Sequence, residues 1–286
     1  MKLIYRNFGK GGTTAEVQCL PGDAMRVKVR LARPWTFYPG QHAYIYMPAV
    51  GWWMSHPFSV AWSDEDVEET MSEKDSLPKS NSDVLARTHC NIYFLIKRNT
   101  GFTDHLWKKA EKSPDGKFTT HAFLEGPYNR QRLHSYGTVI LFAAGIGITH
   151  QTPHVRDLVR GYSNGTVAAR RVVLFWSVQN PECLEWIREW MTAVLAMPRR
   201  REILRILIFV SKPKSGKEIY SPSSSVQMLP GRPNIQAIMD QEVEQSIGAI
   251  GVSVCGPGGY ADEVRRACRS WMGKVSINFE EESFSW

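Results

Sequence analysis

At 286 residues the chain is too long for one small core and suits two domains of ordinary size. Hydrophobic residues at 43% against charged residues at 22% exclude a disordered chain and describe a folded globular one. The net charge of +7 comes from scattered Lys and Arg with no nucleic-acid motif among them, so we read it as solubility or attraction for an anionic small molecule or lipid, and expect no nucleic acid partner.

The longest nearly uncharged apolar stretch, Val139 to Thr149, falls short of the ~20 residues of a membrane span. Met1-Lys2-Leu3-Ile4 lacks the features of a signal peptide, so nothing directs secretion. Five cysteines, Cys19, Cys90, Cys183, Cys255 and Cys268, form no CxxC pair. That pattern argues against a disulfide framework, a zinc site or an iron–sulfur cluster, and fits a reduced, cytosolic environment.

Residues 1–135 read as an antiparallel all-β domain. Short, partly alternating apolar runs cover 15–18, 25–31, 42–47, 58–62, 91–97 and 121–124, and turn residues such as Pro39-Gly40 separate them. A closed Greek-key barrel is the architecture this spacing suggests. Residues 103–112 have the apolar spacing of one short helix, with Leu106, Trp107 and Ala110 facing the barrel. Between 63 and 83 Asp64, Glu65, Asp66, Glu68, Glu69, Glu73 and Asp75 crowd into a nearly apolar-free segment, read as a mobile surface loop.

Two segments of this half carry chemistry. In His56-Pro57-Phe58-Ser59 the proline pins a strand entry, so the backbone after it can bond the polar edge of a flat heterocycle such as a flavin, and the Ser59 hydroxyl can reach N5 or O4. A capped edge strand with a buried Phe58 is the plainer alternative. Lys97-Arg98-Asn99-Thr100-Gly101-Phe102-Thr103 follows a strand and opens the helix. Free N–H groups, close backbone approach at Gly101 and the countercharge of Lys97 or Arg98 suit a pyrophosphate there. A solvated basic turn with Thr103 as N-cap is the alternative.

From 136 to 286 β-rich runs alternate with amphipathic segments, the pattern of a doubly wound parallel sheet that binds nucleotides at the carboxyl ends of its strands. Helices are expected over 153–160, 182–196, 233–245 and 259–271, and 212–233 reads as loop. Gly145-Ile146-Gly147-Ile148-Thr149 directly follows an apolar strand, where Thr149 can bond a phosphate or the nicotinamide amide; tight strand-to-helix packing alone would also require the glycines. The next strand ends Trp176-Ser177-Val178-Gln179, without the acid that receives a ribose 2′-hydroxyl, which favours NADPH over NADH. Cys255-Gly256-Pro257 ends a later strand: a small thiol permits close approach of a ligand while the turn exposes N–H groups. A buried Cys in a strand-end turn is its plain alternative.

The order of these segments, with Pro39-Gly40-Gln41-His42, Glu125-Gly126-Pro127-Tyr128 and the ending Glu282-Ser283-Phe284-Ser285-Trp286, resembles the ferredoxin-NADP reductase superfamily. Within it the chain looks like the cytosolic dehydrogenase half of ferric reductases and NADPH oxidases, and fungal ferric reductases look nearest. The resemblance implies FAD framed by His56 and Phe58 with Ser59 near N5, and a pyrophosphate site at Lys97, Gly101, Phe102 and Thr103. It places NADPH at Gly145, Gly147, Thr149, Trp176, Ser177, Cys255, Gly256 and Pro257. It assigns a terminal aromatic, Phe284 or Trp286, to stack on the flavin, and lets Glu282 stabilise the protonated ring. Asn129 stands where glycine is usual, and Gln179 where many ferric reductases carry Arg; Arg232, in a shared Gly-Arg-Pro-Asn segment, is the expected substitute anchor.

The implied activity is hydride transfer from NADPH, the small-molecule donor, to FAD. Single electrons then pass to haem in a membrane-spanning portion of the same parent protein, on the cytosolic face of the plasma membrane. No metal site is expected in these residues. The alternatives are the dehydrogenase of a superoxide-producing oxidase, a free-standing flavin reductase, or a degenerate domain that binds without turnover.

Overall fold

The computed structural model describes residues 2–9, 11–33, 35–51, 54–64, 91–213 and 223–282. The acidic segment expected at 63–83 lies outside them apart from Ser63 and Asp64, and so do Phe284 and Trp286. The chain divides into two compact units, Met1–Asn129 and Arg130–Trp286.

Unit 1 carries α1 (Lys2–Asn7), β1 (Thr14–Leu20), β2 (Ala24–Arg30), β3 (His42–Tyr46), β4 (Ser55–Ser59), β5 (Trp62–Ser63), β6 (Asn91–Lys97), α2 (Phe102–Glu111), β7 (Lys117–His121) and β8 (Phe123–Tyr128). The strands form two antiparallel sheets, in the orders β5-β6-β2-β1-β7 and β4-β3-β8. Alternation decides which side chains go inward: Val27 and Val29 of β2 are buried while Lys28 and Arg30 between and beyond them face out. Both sheets and Leu106 and Ala110 of α2 close over one core that includes Val17, Ile45, Phe94 and Leu124.

Two runs that read as single strands, 58–62 and 121–124, each contain a corner. At the first, the Val60 N–H donates to Gln41 O (3.0 Å) and the Ala61 N–H to Tyr93 O (2.8 Å), so the chain leaves one sheet and enters the other within two residues. At the second, the Ala122 N–H donates to Thr13 O (3.1 Å) between β7 and β8. Such corners let a sheet wrap into a barrel without a turn signal in the sequence. Helix α1 was not expected from the sequence; Asn7 ties it down by donating to Leu124 O and accepting from the Leu124 N–H, both at 2.8 Å.

Unit 2 carries β9 (Thr138–Ala144), α3 (Ile148–Asn164), β10 (Arg171–Val178), α4 (Arg188–Ala196), α5 (Arg200–Ile203), β11 (Leu204–Val210), β12 (Val226–Pro230), α6 (Ile235–Glu244), β13 (Ile250–Cys255), α7 (Gly258–Trp271) and β14 (Ile277–Glu282). All six strands run parallel in the order β12-β11-β10-β9-β13-β14. The neighbours β9 and β13 are the most buried strands: β13 throughout and β9 throughout except at Ala144, as a sheet covered on both faces requires.

Three expectations for unit 2 need correction. Residues 212–233, read as loop, contain edge strand β12, whose five residues pair with β11 between Ser- and Pro-rich flanks that hide it. The helix expected from Pro153 starts five residues earlier, at Ile148, because the Gly145–Gly147 turn launches it; Pro153 lies inside and costs one backbone hydrogen bond. The helix expected over 182–196 is a 3₁₀ turn, Pro181–Trp186, and then α4, broken where Ile187 leaves helical geometry (φ −124°, ψ 11°).

Candidate active site

In unit 1 the His56-Pro57-Phe58-Ser59 segment is β4, an edge strand that pairs on one side with β3. Pro57 suits that edge because it has no N–H to give to a neighbour. In the ladder Ser59 lies opposite His42, and Pro57 opposite Tyr44. Directly opposed residues share a face. His56 and Phe58 therefore point the other way, Phe58 against the core and the His56 ring 4.9 Å from the Phe102 ring that begins α2. That contact joins the strand to the helix start.

The His56 Nε2 is buried without a partner among the described residues, and burial lowers the pKa of the ring, so the imidazole is neutral. A buried orphan of this kind is what a polar cofactor edge would satisfy. At the helix start, Gly101 is the N-cap (φ 68°, ψ −127°) and no side chain caps the first N–H groups; a Cβ there would meet nothing within 4 Å. The expected alternative of Thr103 as N-cap is not observed: its hydroxyl accepts from the Asn99 N–H at 2.8 Å. Arg98 is held by Asp104 (2.8 Å), which Lys108 also contacts at 2.6 Å, whereas Lys97 is exposed. Those bonds, Lys108 first and Arg98 second, lower the Asp104 pKa. The open helix start, the cations and the orphan imidazole fit a flavin dinucleotide.

In unit 2 the chain leaves β9 toward β10, β11 and β12, then returns to β13 on β9's other side. That reversal opens a crevice at the carboxyl ends of β9 and β13. Glycines shape it. Gly145 has φ +55° with open space around its missing Cβ, while a Cβ on Gly147 would sit 2.0 Å from Cys255 O. A Cβ on Gly256 would lie 2.9 Å from the Ala144 Cβ. The two strand ends thus touch through backbone, and only glycine permits it. Helix α7 begins here with no side-chain cap and α3 continues from the Gly145–Gly147 turn, whose Gly145 O accepts from the Ile148 N–H, so both bring positive dipole ends to this place. This donor set fits the phosphates of a nicotinamide dinucleotide.

Around this crevice, Thr149 is buried in the first turn of α3. Trp176 lies beneath the loop, its indole N–H donating to Gly145 O at 3.0 Å, which makes it a strut for the glycine turn. The Ser177 and Tyr260 hydroxyls are buried and complete no hydrogen bond among the described residues, although Ser177 comes near enough to oppose the rise that burial imposes on the Tyr260 pKa. Burial, with Glu282 and Glu281 adding to it, pushes the Cys255 thiol up to about 12, so it is neutral. Glu282 stands opposite Cys255 in the β13–β14 register. Pro257 is the N-cap of α7.

Arg232 is exposed just beyond edge strand β12, which β11 separates from β10. Another cation adjoins Gln179. The Lys212 N–H donates to Gln179 O (2.8 Å) and the Ser211 N–H to Val178 O (2.9 Å), which sets Lys212 beside the end of β10. Sequence reasoning missed it because the contact joins residues from two strand ends inside a stretch read as loop.

Comparison with known proteins agrees with this geometry. Residues 10–132 match the model of an FAD-binding domain family, and residues 136–221 and 211–269 match that of the ferric reductase NAD binding domain. The chain is 28% identical over 199 residues to a probable cell surface ferric reductase, kap2, of Aspergillus oryzae, covering 66% of this chain and 24% of that protein. It is 23% identical to a probable ferric reductase transmembrane component of Candida albicans, covering 99% and 43%. It is 21% identical to respiratory burst oxidase homolog protein B of Solanum tuberosum, covering 96% and 35%. The chain thus spans less than half the length of these relatives. Among solved structures, the ferredoxin reductase in carbazole 1,9a-dioxygenase shares the fold with a TM-score of 0.58 at 17% identity, over 93% of this chain and 68% of that one. Over most of its length the chain is therefore an FAD-binding domain followed by a ferric reductase NAD binding domain.

Proposed function

We propose that this chain is the NADPH-oxidising dehydrogenase module of a membrane ferric-chelate reductase, lying on the cytosolic face and serving a haem-bearing membrane portion of its parent. The boundary between its FAD and NADP portions is proposed at 135/136. The observation that carries the reading is the crevice between β9 and β13, where Gly147 brings its loop against Cys255 and the starts of α3 and α7 bring their positive dipole ends. FAD, when bound, accepts hydride at N5 and releases electrons singly.

The chain's own residues bind and orient. Neutral His56 offers Nε2 to the flavin dinucleotide, Phe58 packs beside it, and Ser59 supplies a hydroxyl at the strand edge. The N–H groups after Gly101, with Lys97 as countercharge, take the FAD pyrophosphate, and Phe102 and Thr103 shape that turn. Gly145, Gly147 and Thr149 with the start of α3 hold the coenzyme phosphates, aided by Gly256 and Pro257 at the start of α7. Trp176 supports the glycine turn, and Ser177 lines the crevice. Cys255, an un-ionised thiol, places a small neutral group at the nicotinamide, and Glu282 stands behind it. Lys212, with Arg232 farther along the sheet edge, supplies the charge for a 2′-phosphate, and the absence of an acid at Gln179 spares it repulsion. Phe284 and Trp286 are retained as the aromatic cover of the flavin.

Titration of the chain with FAD and anaerobic addition of NADPH or NADH tests this. Bleaching of the flavin band, faster with NADPH, is expected; FAD binding without bleaching by either coenzyme would overturn it. The likeness to respiratory burst oxidase homolog protein B over 96% of this chain favours a second reading, the dehydrogenase of a superoxide-producing oxidase. Superoxide rather than ferrous chelate as the product of the full-length parent would select it.

A further inference from the structure

Beneath the crevice of unit 2 lies a buried polar cluster drawn from four parts of the sequence. Gln131 comes from the irregular segment before β9, His150 and Gln151 from the first turn of α3, Ser253 from β13, and the Phe142 carbonyl from β9. Gln151 and Ser253 are fully buried and His150 is 1% exposed. The bonds have one consistent direction. The Gln151 Nε2 donates to Phe142 O (3.2 Å) and to Ser253 Oγ (3.1 Å); the Ser253 hydroxyl donates to Gln131 Oε1 (3.2 Å). The same oxygen lies 3.0 Å from His150 Nε2. An amide oxygen only accepts, so that nitrogen carries the proton and His150 is the Nε2–H tautomer.

The cluster does not serve stability alone. Gln151 Oε1 and His154 Nε2 are buried beside it without partners among the described residues, and such groups cost folding free energy. An apolar filling would avoid that cost. What the polar bonds add is direction: they fix the first turn of α3 to β9 and β13 at once. His150 follows Thr149 directly, and Ser253 precedes Cys255 by two residues, so both loops that meet at Gly147 stand on this cluster.

We infer that the Gln131 carbonyl, accepting from both Ser253 and His150, is a positioning residue that holds the Gly145–Thr149 and Cys255–Pro257 loops in the geometry that binds nicotinamide coenzyme. The inference rests on reading the β9–β13 crevice as the coenzyme site. Gln131→Met keeps the shape and removes the acceptor, whereas Gln131→Glu keeps an acceptor oxygen. Val194→Ala, a truncation of a buried side chain in α4, is a control for simple destabilisation.

Hydrogen exchange on the FAD-loaded chain, read by mass spectrometry over 145–155 and 252–261, is the first readout, and KM for the coenzyme is the second. Gln131→Met is expected to speed exchange in both segments by about tenfold. It should raise KM about fivefold at unchanged FAD content, a loss of the size of one hydrogen bond. Gln131→Glu should stay within about twofold of the parent on both readouts. Val194→Ala should lower the melting temperature without changing either. Wild-type exchange in Gln131→Met, or equal loosening of both segments in Val194→Ala, would overturn the inference. If the unaltered chain oxidises neither NADPH nor NADH, the functional reading fails while exchange still decides whether Gln131 holds the loops.

Discussion

The two proposed cofactor regions are built by opposite means. The cradle of unit 1 depends on side chains at a strand edge, with neutral His56 against Phe102 and a single uncapped helix start after Gly101. The crevice of unit 2 depends on the absence of side chains, with Gly147 and Gly256 letting two strand ends meet through backbone. A side-chain site loses affinity by degrees when one group is removed. A backbone site fails when an atom is added.

The largest expected effect follows from that contrast. Gly147→Ala places a methyl 2.0 Å from Cys255 O, so the two loops must part. Strain of roughly 1–3 kcal/mol, typical of overpacking, corresponds to about 5- to 150-fold weaker coenzyme binding. FAD binding should be unchanged; coenzyme titration of the FAD-loaded variant measures both, and equal loss of FAD would erase the distinction between the regions.

His56→Leu keeps bulk and removes the orphan nitrogen. It should weaken FAD about tenfold, the worth of one well-placed buried hydrogen bond, and leave NADP⁺ binding by calorimetry intact. An unchanged FAD affinity would show that the strand edge alone holds the flavin. Lys212→Ala should then reduce the preference for NADPH over NADH by about tenfold, and Arg232→Ala by less. Competition kinetics with both coenzymes ranks the two cations, and a larger effect of Arg232→Ala would reverse the assignment.

The regions also differ in response to acid. His154 of unit 2 is fully buried, and burial first, then His150 and His134, hold its pKa well below the ordinary 6.5. The unfolded chain therefore binds more protons than the folded one once pH falls below about 6.5, so stability is full above that value and declines below it. Melting curves from pH 8 to 5 should show this decline flattened by His154→Gln. Burial lowers His42 and His56 of unit 1 in the same direction, so a decline in unit 1 should remain in that variant.

The smallest effect concerns Cys255. With its thiol at about 12, it should resist alkylation at pH 8 in the native chain and react on denaturation, as read by peptide mass. Fast native labelling would contradict the buried, neutral thiol beside the crevice.

What the sequence made legible follows the same division. His56-Pro57-Phe58-Ser59 and Gly145-Ile146-Gly147 are local signals, and each stands where strand meets turn or ladder edge. The corners at Val60–Ala61 and Ala122 were invisible, because a strand that changes sheets keeps its apolar pattern. Strand β12 was hidden by its flanks, and Pro153 drew attention away from the true start of α3. Lys212 beside Gln179, and Gln131 under Ser253 at a separation of 122 residues, depend on contacts that no local pattern encodes.

In the proposed reaction, coenzyme held by unit 2 reduces flavin held by unit 1 of the same chain. Single-turnover mixing of the FAD-loaded chain with NADPH deuterated at C4, under anaerobic conditions, tests it most directly. The flavin band should bleach in one phase, slower with the deuterated hydride than with ordinary NADPH and abolished or strongly slowed in Gly147→Ala. An FAD-loaded chain that stays oxidised with both NADPH and NADH would contradict it.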